Sequence, residues 1–563
     1  MKFSAFSFAA SLALQSIGAA QAGVITPSSP TAVIKNGTVH GIKDKVWNQD
    51  YFLGIPYALP PLGPLRFRPP QYINTKLGNI QAKKFGFHCF GYTSDQDGYD
   101  QSEDCLTLNI VRPAGISNNA KLPVAFWIHG GGFLGGGAPD IRYNMSFMVD
   151  QSTKIGSPII GVSINYRLNG WGFLGGSEVK GTQNLNVGLK DQRLAMHWVK
   201  ENIKAFGGDP KKVTIFGESA GGASVGLQQI AFGGRDDGLF RGAIHQSGGP
   251  VLFLSESISI DSQQQFNRLA QNMGCTDAPS PLDCLRAVPS AALHQAFKFQ
   301  LWNPVLDGQF ITEYGSQALK YGRYVKVPTI TGTTSDEGAS FGTIGARNDT
   351  DIANYFALQS SWSPAVIQQL LTLYPADVSI PPAENFTGQD DGTSIPENGP
   401  AYHRAAAFIG DYMFIANRRY VAETLAAHNV PVWSFRFRTL VNGLPAYGGA
   451  GHFAEVGFVF HNLNGDGYNG PFDNGNPLGG PKAAEYAELA GFMCKSWIRF
   501  VAHQNPRAGT GGSGVQWVPY AHGSGKRQIV FDISSTGGSY IETDDYRKEG
   551  IAFMNEYILQ AQR

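Results

Sequence analysis

The stretch VTIFGESAGGASVG, from Val213 to Gly226, places a serine between two glycines where an apolar segment gives way to small residues. The apolar part predicts a buried strand, and the small residues that follow predict the start of a helix. Ser219 then has two interpretations: it caps the helix, or it lies on a sharp strand-to-helix turn that exposes its hydroxyl group as a nucleophile. The second requires small neighbours, such as Gly217 and Gly221, because strand and helix must pack closely there.

Strand-like and helix-like segments alternate along the rest of the chain. This alternation predicts an α/β fold with a mostly parallel central sheet, helices on both faces and long loop insertions. Active sites in such sheets lie at the carboxyl ends of the strands. The apolar segments expected to form strands are Pro123–Gly130, Pro158–Arg167, Gly242–Gly249, Val327–Thr333 and Val430–Arg438. The segments expected to form helices are Asn186–Phe206 and Ala484–Gln504.

The composition excludes several classes of function. The 563 residues include 44 basic and 44 acidic side chains, so the formal net charge is zero and no long run of one sign predicts nucleic-acid binding. Hydrophobic residues make up 42% and charged residues 16%, which is typical of a globular protein. Beyond the N-terminus no apolar run is long enough to cross a bilayer, so we expect no stable membrane insertion.

The N-terminus predicts export. MKFSAFSFAASLALQSIGAAQAGV has one lysine, an apolar stretch and a small residue on each side of Gln21, which is typical of a signal peptide over residues 1–22. The alternative is a buried N-terminal helix. Residues 23–563 are then expected to form one secreted, extracellular domain. Four N-glycosylation sequons suit this prediction, at Asn36, Asn144, Asn348 and Asn385.

The cysteines also suit an oxidising compartment. Cys89 and Cys105 are 16 residues apart, and Cys275 and Cys284 are 9 apart (105 − 89 and 284 − 275), spacings that suit local disulfide loops. The fifth, Cys494, lies in the amphipathic segment Ala484–Gln504 and is expected to be a buried, inert thiol. No cysteine and histidine cluster has zinc-ligand spacing.

Three further segments could complete a hydrolytic site around Ser219. The run His129-Gly130-Gly131-Gly132 follows a predicted strand, and backbone N–H groups in such a run can converge on an oxyanion. The alternative is a flexible turn.

Acid and base candidates come later in the chain. Asp336 and Glu337 both follow a predicted strand, although Ser335-Asp336 could instead cap a helix. His452 is a candidate base in a glycine-rich loop, and His461 is its local rival.

These motifs together resemble the type-B carboxylesterase/lipase family, the cholinesterase-like branch of the α/β-hydrolases, and its secreted fungal members above all. The resemblance covers nearly the whole chain after the signal peptide. The motifs that carry it are, in order, FLGIPYALPPLGPLRFRPP, SEDCLTLNI, INYRLNGWGFL, GLKDQRLAMHWVKENIKAFGGDP, VTIFGESAGG, HQSGG, TSDEG and GHFAEVGFVF.

The resemblance implies a role for individual residues. It implies a serine carboxylesterase that forms an acyl-enzyme from a small-molecule ester and needs no cofactor or metal. The implied catalytic residues are Ser219, Glu337 and His452; the implied oxyanion hole is Gly131, Gly132 and Ala220; the implied polar neighbours are Glu218 and Ser247. The implied disulfides are Cys89–Cys105 and Cys275–Cys284, and the implied buried ion pairs are Arg66–Glu103 and Arg167–Asp191.

The loop from Phe90 to Asp104 departs from the cholinesterase pattern. It has no tryptophan to bind a quaternary ammonium, so choline esters are not expected substrates. The residue after His452 is Phe453, where cholinesterases tend to have glycine. The larger side chain would narrow the part of the active site that holds the leaving group.

The composition of the same loop bears on the substrate class. It carries five acidic residues and only three large aromatic ones, a composition that is costly to press into lipid. We therefore expect soluble, short-to-medium esters as substrates. The alternatives are a triacylglycerol lipase or sterol esterase, with residues 338–354 or 443–451 as the lid, and a non-catalytic cholinesterase-like adhesion protein.

Overall fold

The computed structural model describes most of the chain after the predicted signal peptide. The described residues are 29–252, 262–341, 345–357, 360, 362–374, 398–445, 448–468, 475–507, 515–521, 525–533 and 538–560. The predicted signal peptide and the sequon at Asn385 lie outside these ranges.

Short strands and helices alternate over these residues. The strands are β1 (Thr31–Ile34), β2 (Gly37–His40), β3 (Ile42–Asp44), β4 (Gln49–Pro56), β5 (Gly78–Gln81), β6 (His88–Cys89), β7 (Gln101–Ser102), β8 (Thr107–Pro113), β9 (Leu122–Ile128), β10 (Ile160–Ile164), β11 (Gly208–Glu218), β12 (Gly242–Gln246), β13 (Thr329–Thr334), β14 (Val432–Phe437), β15 (Arg527–Phe531) and β16 (Tyr540–Thr543). The α-helices are α1 (Met145–Lys154), α2 (Asn169–Phe173), α3 (Ser177–Gly181), α4 (Val187–Asn202), α5 (Ala220–Gly234), α6 (Ser262–Asn272), α7 (Pro281–Ala287), α8 (Ser290–Phe297), α9 (Gly315–Lys320), α10 (Asp349–Ala357), α11 (Pro364–Thr372), α12 (Tyr402–Gly410), α13 (Ala416–Ala427), α14 (Val456–Val459), α15 (Ala483–His503) and α16 (Lys548–Glu556).

Eleven strands of the described chain form one sheet. Its order is β16-β15-β14-β13-β12-β11-β9-β10-β8-β4-β3. Neighbours from β10 to β15 run parallel, and the pairs outside them run antiparallel. Each of the segments that the sequence predicts as strands contributes one of the parallel strands, so the predicted α/β fold with a mostly parallel sheet is confirmed.

The sheet is buried on both faces. Alternate residues of β9 enter two separate cores: Phe126 and Ile128 lie in one, and Ala125 and Trp127 lie in the other. Helices α4 and α5 cover the first face, and α1 and α15 cover the second. Because side chains of a strand point to alternate faces, an uninterrupted apolar run such as β9 is stable only between two layers of helices.

The two predicted helices form close to their expected bounds. Helix α4 continues as a 3-10 turn to Phe206 and stops at Gly207, whose φ of 86° is easily reached by glycine. Helix α15 carries Cys494 on its buried face, as expected. Burial raises the pKa of the Cys494 thiol, which favours the unreactive protonated form.

Covalent and ionic cross-links hold the long loops. Both expected disulfides are present, Cys89–Cys105 and Cys275–Cys284. Both expected ion pairs are also present and buried: Arg66 pairs with Glu103 at 2.7 Å, and Arg167 pairs with Asp191 at 2.7 Å. The Arg66 guanidinium also donates to the backbone oxygen of Arg286 at 2.9 Å, so it joins the first disulfide loop to the second.

The sequons differ in accessibility. Asn36 is buried, and its amide donates to the backbone oxygens of Ile73 and Thr75 at 2.6 and 2.9 Å. Asn348 is exposed at the start of α10. No helix among the described residues is long and apolar enough to cross a bilayer.

A buried charge cluster joins the C-terminal strands to α13. The carboxylate of Asp544 accepts from Arg419 Nη2 at 2.8 Å and from Arg418 Nη2 at 3.0 Å, and Tyr520 donates to it at 3.1 Å. All four side chains are buried. Burial opposes ionisation of Asp544, but the two guanidinium groups outweigh it and hold the pKa of this carboxyl well below its usual range.

Replacing this carboxylate should destabilise the protein strongly. Asp544→Asn leaves two buried guanidinium groups without a counter-charge, which we expect to lower the free energy of unfolding by about 3–5 kcal/mol. Denaturant unfolding followed by tryptophan fluorescence measures it. The matched control is Asp545→Asn, at the exposed neighbouring position, expected to change stability by less than about 0.5 kcal/mol. Equal stabilities of the two variants would contradict this account.

Candidate active site

Ser219 lies on a strained turn between β11 and α5. Its φ of 56° and ψ of −124° are unfavourable for a residue with a side chain. Its side chain makes no capping hydrogen bond to the helix, so the structure favours the exposed turn over the helix cap. A Cβ atom would lie 2.5 Å from the backbone oxygen of Ile128 at Gly217 and 2.1 Å from it at Gly221. Both positions therefore require glycine.

The glycine run after β9 and the start of α5 together leave three N–H groups without acceptors among the described residues. Gly131 and Gly132 have φ values of 94° and 65°, a left-handed conformation that turns the backbone sharply. Within the described chain, no group accepts a hydrogen bond from the backbone N–H of Gly131, Gly132 or Ala220. Such unpaired donors are suited to an oxyanion. The run is held in place from behind by Tyr166, whose hydroxyl donates to the backbone oxygen of His129 at 2.9 Å.

Glu337 is fixed behind the cavity immediately after β13. It is fully buried, and its Oε1 atom accepts from Ser247 Oγ at 2.6 Å and from the backbone N–H of Thr334 at 2.8 Å. Its Oε2 atom lies 2.5 Å from His452 Nδ1. Hydrogen bonds of this kind stabilise the ionised carboxylate and orient the imidazole.

His452 is oriented by that contact. Because Nδ1 faces the carboxylate of Glu337, it carries the proton, and Nε2 is the nitrogen that can accept one. Nε2 lies 3.2 Å from Glu218 Oε1 and makes no hydrogen bond within the described residues, including with Ser219.

The structure separates the residues that sequence analysis left as alternatives. Asp336 does not reach His452. Its Oδ2 atom accepts from the N–H of Ala450 at 2.8 Å, and its own N–H donates to the Ala450 oxygen at 3.0 Å. Asp336 thus holds the loop that carries His452. His461 is outside the set of residues that line the cavity, and burial lowers its pKa.

Most of the predicted site residues meet in one cavity of about 630 Å³. Its polar lining includes Gly131, Gly132, Glu218, Ser219 and His452. Its apolar lining includes Phe341, Tyr402, Met413, Phe414, Leu444 and Phe453. The cavity therefore presents a potential nucleophile and base to a largely apolar ligand. Among the described residues no group of three histidine, cysteine or acidic side chains could hold a metal ion.

Sequence analysis missed three residues that contact this site. Glu455 is fully buried one turn after His452 and accepts from Gln246 Nε2 at 3.2 Å. Its spacing of three residues from His452 was a usable signal. The rings of Phe341 and Phe414 lie 5.0 and 4.8 Å from the imidazole. Phe414 belongs to a single π-helical turn, Asp411–Ile415, which no residue pattern indicates but which often occurs at functional sites.

Three buried carboxyl groups surround one imidazole. Burial raises the pKa of Glu218 well above its usual range and raises that of Glu455 to about 7. Burial alone would lower the pKa of His452, but the carboxylates of Glu218 and Glu337 outweigh it and raise the pKa to about 9. The imidazolium form is therefore stabilised at this position.

The His452 imidazolium is the contact that favours ionisation of Glu218, and the Glu218 carboxylate in turn stabilises the imidazolium, so removing this carboxyl group should make His452 easier to deprotonate. A base must be neutral to accept a proton, so kcat/KM falls as pH drops below the His452 pKa, which we expect above the ~6.5 of free imidazole. Glu218→Gln should move this acid limb to lower pH by roughly one unit. The measurement is kcat/KM against pH, with the exposed Glu549→Gln as control. An acid limb that stays in place or moves upward would count against this electrostatic coupling.

Comparison with known proteins identifies the family. The profile of the carboxylesterase family matches residues 28–550. The chain is 33% identical to lipase 2 of Geotrichum candidum over 94% of this chain and 96% of that protein, and 33% identical to secreted lipase 1 of Botryotinia fuckeliana over 92% and 90%. The crystal structure of EstA from Aspergillus niger superposes with a TM-score of 0.80 at 27% identity, covering 95% of this chain and 99% of that one. The resemblance read from the motifs is therefore confirmed, and the chain belongs to the carboxylesterase family of ester hydrolases.

Proposed function

We propose that this protein is a serine carboxylesterase in which Ser219 is the nucleophile, His452 the base and Glu337 the acid. The observation that carries the proposal is the line of contacts from Ser247 through Glu337 to His452, which ends in the cavity that Ser219 also lines. Gly131, Gly132 and Ala220 supply the oxyanion hole, because their N–H groups are unpaired in the described structure.

Each group then has one task in the reaction. Free serine is a weak nucleophile, so His452 Nε2 takes the Ser219 proton as the oxygen attacks the ester carbonyl. Glu337 holds the imidazole and stabilises the imidazolium, and the backbone N–H groups stabilise the oxyanion. His452 then protonates the departing alcohol. Water, activated by the same imidazole, attacks the acyl-enzyme and releases the acid.

The proposed substrates are soluble esters of short to medium length. The loop from Phe90 to Asp104 packs on the segment that directly follows the glycine run: the N–H of Tyr92 donates to the Leu134 oxygen at 2.8 Å, and Gln96 Nε2 donates to the Gly136 oxygen at 3.1 Å. A lid that opens on lipid would have to break these bonds and to press acidic side chains into an apolar surface.

Two other functions compete with this proposal. Triacylglycerol hydrolysis is the stronger, because several relatives are named lipases and the cavity lining is largely apolar; a sterol esterase would use the same catalytic groups. A non-catalytic adhesion role is the weaker, because Ser219, Glu337 and His452 are all retained.

We also propose that the protein is secreted as one domain over residues 23–563. Two disulfides, the signal-like residues 1–22 and a relative named as a secreted lipase support this localisation.

Removing either reacting group of the triad should abolish turnover. Ser219→Ala and His452→Ala should each lower kcat by roughly 10⁴- to 10⁶-fold and to a similar extent, because the two groups act as a unit. Glu337→Gln should also lower kcat by orders of magnitude. Hydrolysis of a p-nitrophenyl ester measures this, with His461→Ala as the histidine control that stays active. If His461→Ala were inactive and His452→Ala active, the assigned base would be wrong.

The restraints on the loop from Phe90 to Asp104 should show in the dependence of rate on substrate concentration. Hydrolysis of a short-chain triglyceride should follow simple saturation as its concentration passes the solubility limit, because this loop does not have to open at the interface. Initial rates below and above that limit, measured by pH-stat titration, give the answer. A steep rise once an emulsion forms would favour the lipase alternative.

A further inference from the structure

One side of the active-site cavity is charged. Arg142 and Asp95 both line it, and the guanidinium of Arg142 pairs with the Asp95 carboxylate. From behind, Asp140 pairs with Arg142 Nη2 at 2.6 Å and accepts from Nε at 3.0 Å. The Arg142 side chain is only 15% exposed, so two carboxylates and the cavity surface enclose it almost completely. Asp95, Asp140 and Arg142 are called the Arg142 wall below.

The wall also contacts the residue next to the base. The Arg142 guanidinium lies over the ring of Phe453 at 4.9 Å, a cation–π contact, and Phe453 follows His452 directly in the chain. Phe453 itself lines the cavity. The wall therefore joins the loop from Phe90 to Asp104, which carries Asp95, to the backbone that holds the imidazole.

The remaining contacts of the imidazole are different in character. Phe341 and Phe414 pack against the His452 ring with their aromatic rings. Apolar side chains can shift to accept a longer ligand at modest cost. A guanidinium held between two carboxylates cannot, because moving it away from either partner leaves a poorly solvated charge.

We propose that the Arg142 wall is a specificity determinant that limits the length of the ester group on its side of the scissile bond. This inference rests on the proposed esterase function of the same cavity. An apolar chain that reaches the wall covers the exposed edge of the ion pairs without hydrogen bonding to it, and it cannot displace Arg142 without separating the guanidinium from a carboxylate, so long groups on that side are rejected. Phe341 and Phe414, which line the same cavity, present aromatic rings instead of ionised groups to a ligand.

Two ester series test the proposal. One varies the acyl group from acetyl to dodecanoyl with a fixed alcohol, and the other varies the alcohol from methyl to octyl with a fixed acetyl group. Arg142→Leu removes the charge at the wall. For each series we compare kcat/KM of the longest ester with kcat/KM of the shortest. In Arg142→Leu this ratio should rise by about tenfold or more in one series only, and the other series should keep its dependence on chain length.

Matched variants separate specificity from general damage. Asp95→Asn keeps the pair of Arg142 with Asp140 and should give a smaller change in the same series. Asp95→Glu keeps the carboxylate and should leave the dependence on chain length as it is in the unchanged protein. Asp97→Asn removes the same charge from an exposed position of the same loop and should change neither series. Thermal melting checks that each variant is folded, and Asp95→Asn still tests the wall if Arg142→Leu does not fold.

Two results would overturn the proposal. One is an unchanged profile in both series for folded Arg142→Leu and Asp95→Asn. The other is an equal rise in both series, which would indicate general loosening of the cavity. Either result leaves the proposed function standing as long as Ser219→Ala abolishes hydrolysis of the same esters; activity that survives Ser219→Ala would instead overturn the proposed function itself.

Discussion

The close approach of β9, β11 and α5 at Ser219 is the constraint on which the site depends. The backbone oxygen of Ile128 lies so near Gly217 and Gly221 that no side chain fits at either position. This contact places the end of β9, and with it the run Gly130–Gly132, beside the serine. The unfavourable dihedral angles of Ser219 persist because strands and helices on both sides fix the turn. Nucleophile and oxyanion donors are thus positioned by the same backbone contact.

The electrostatics of the site follow from unequal hydrogen bonding among its three carboxyl groups. Glu337 receives bonds from Ser247, Thr334 and His452, whereas one oxygen of Glu218 and one of Glu455 are buried without a partner. A buried carboxylate without donors is costly, so burial raises the pKa values of Glu218 and Glu455. Three similar side chains therefore differ in role because Glu337 is hydrogen bonded on both oxygens, whereas Glu218 and Glu455 each have an oxygen without a partner.

Local sequence predicted the framework of this protein, and the family resemblance predicted its site. Short apolar segments and glycine turns carry information within ten residues, which is why the central strands and the turn at Ser219 could be placed. The choice between Asp336 and Glu337 could not be made locally, because it depends on a contact with a loop more than a hundred residues away. Phe414 and the pair of Arg142 with Asp95 were missed for the same reason: each reaches the cavity through tertiary packing.

The loop from Phe90 to Asp104 connects this packing to substrate choice. Its disulfide is only one of several restraints, since hydrogen bonds to Leu134 and Gly136 and the ion pair of Asp95 with Arg142 also hold it. A loop restrained in this way acts as a wall of the cavity, whereas a lid needs a second conformation of comparable free energy. The relatives named lipases are similar to this chain in sequence over most of its length, so family membership alone does not decide between these substrate classes. The deciding quantity is the free energy of the contacts that hold the loop at Asp95 and Tyr92, compared with the free energy that the loop would gain by binding an apolar interface. The acidic side chains of the loop keep that gain small.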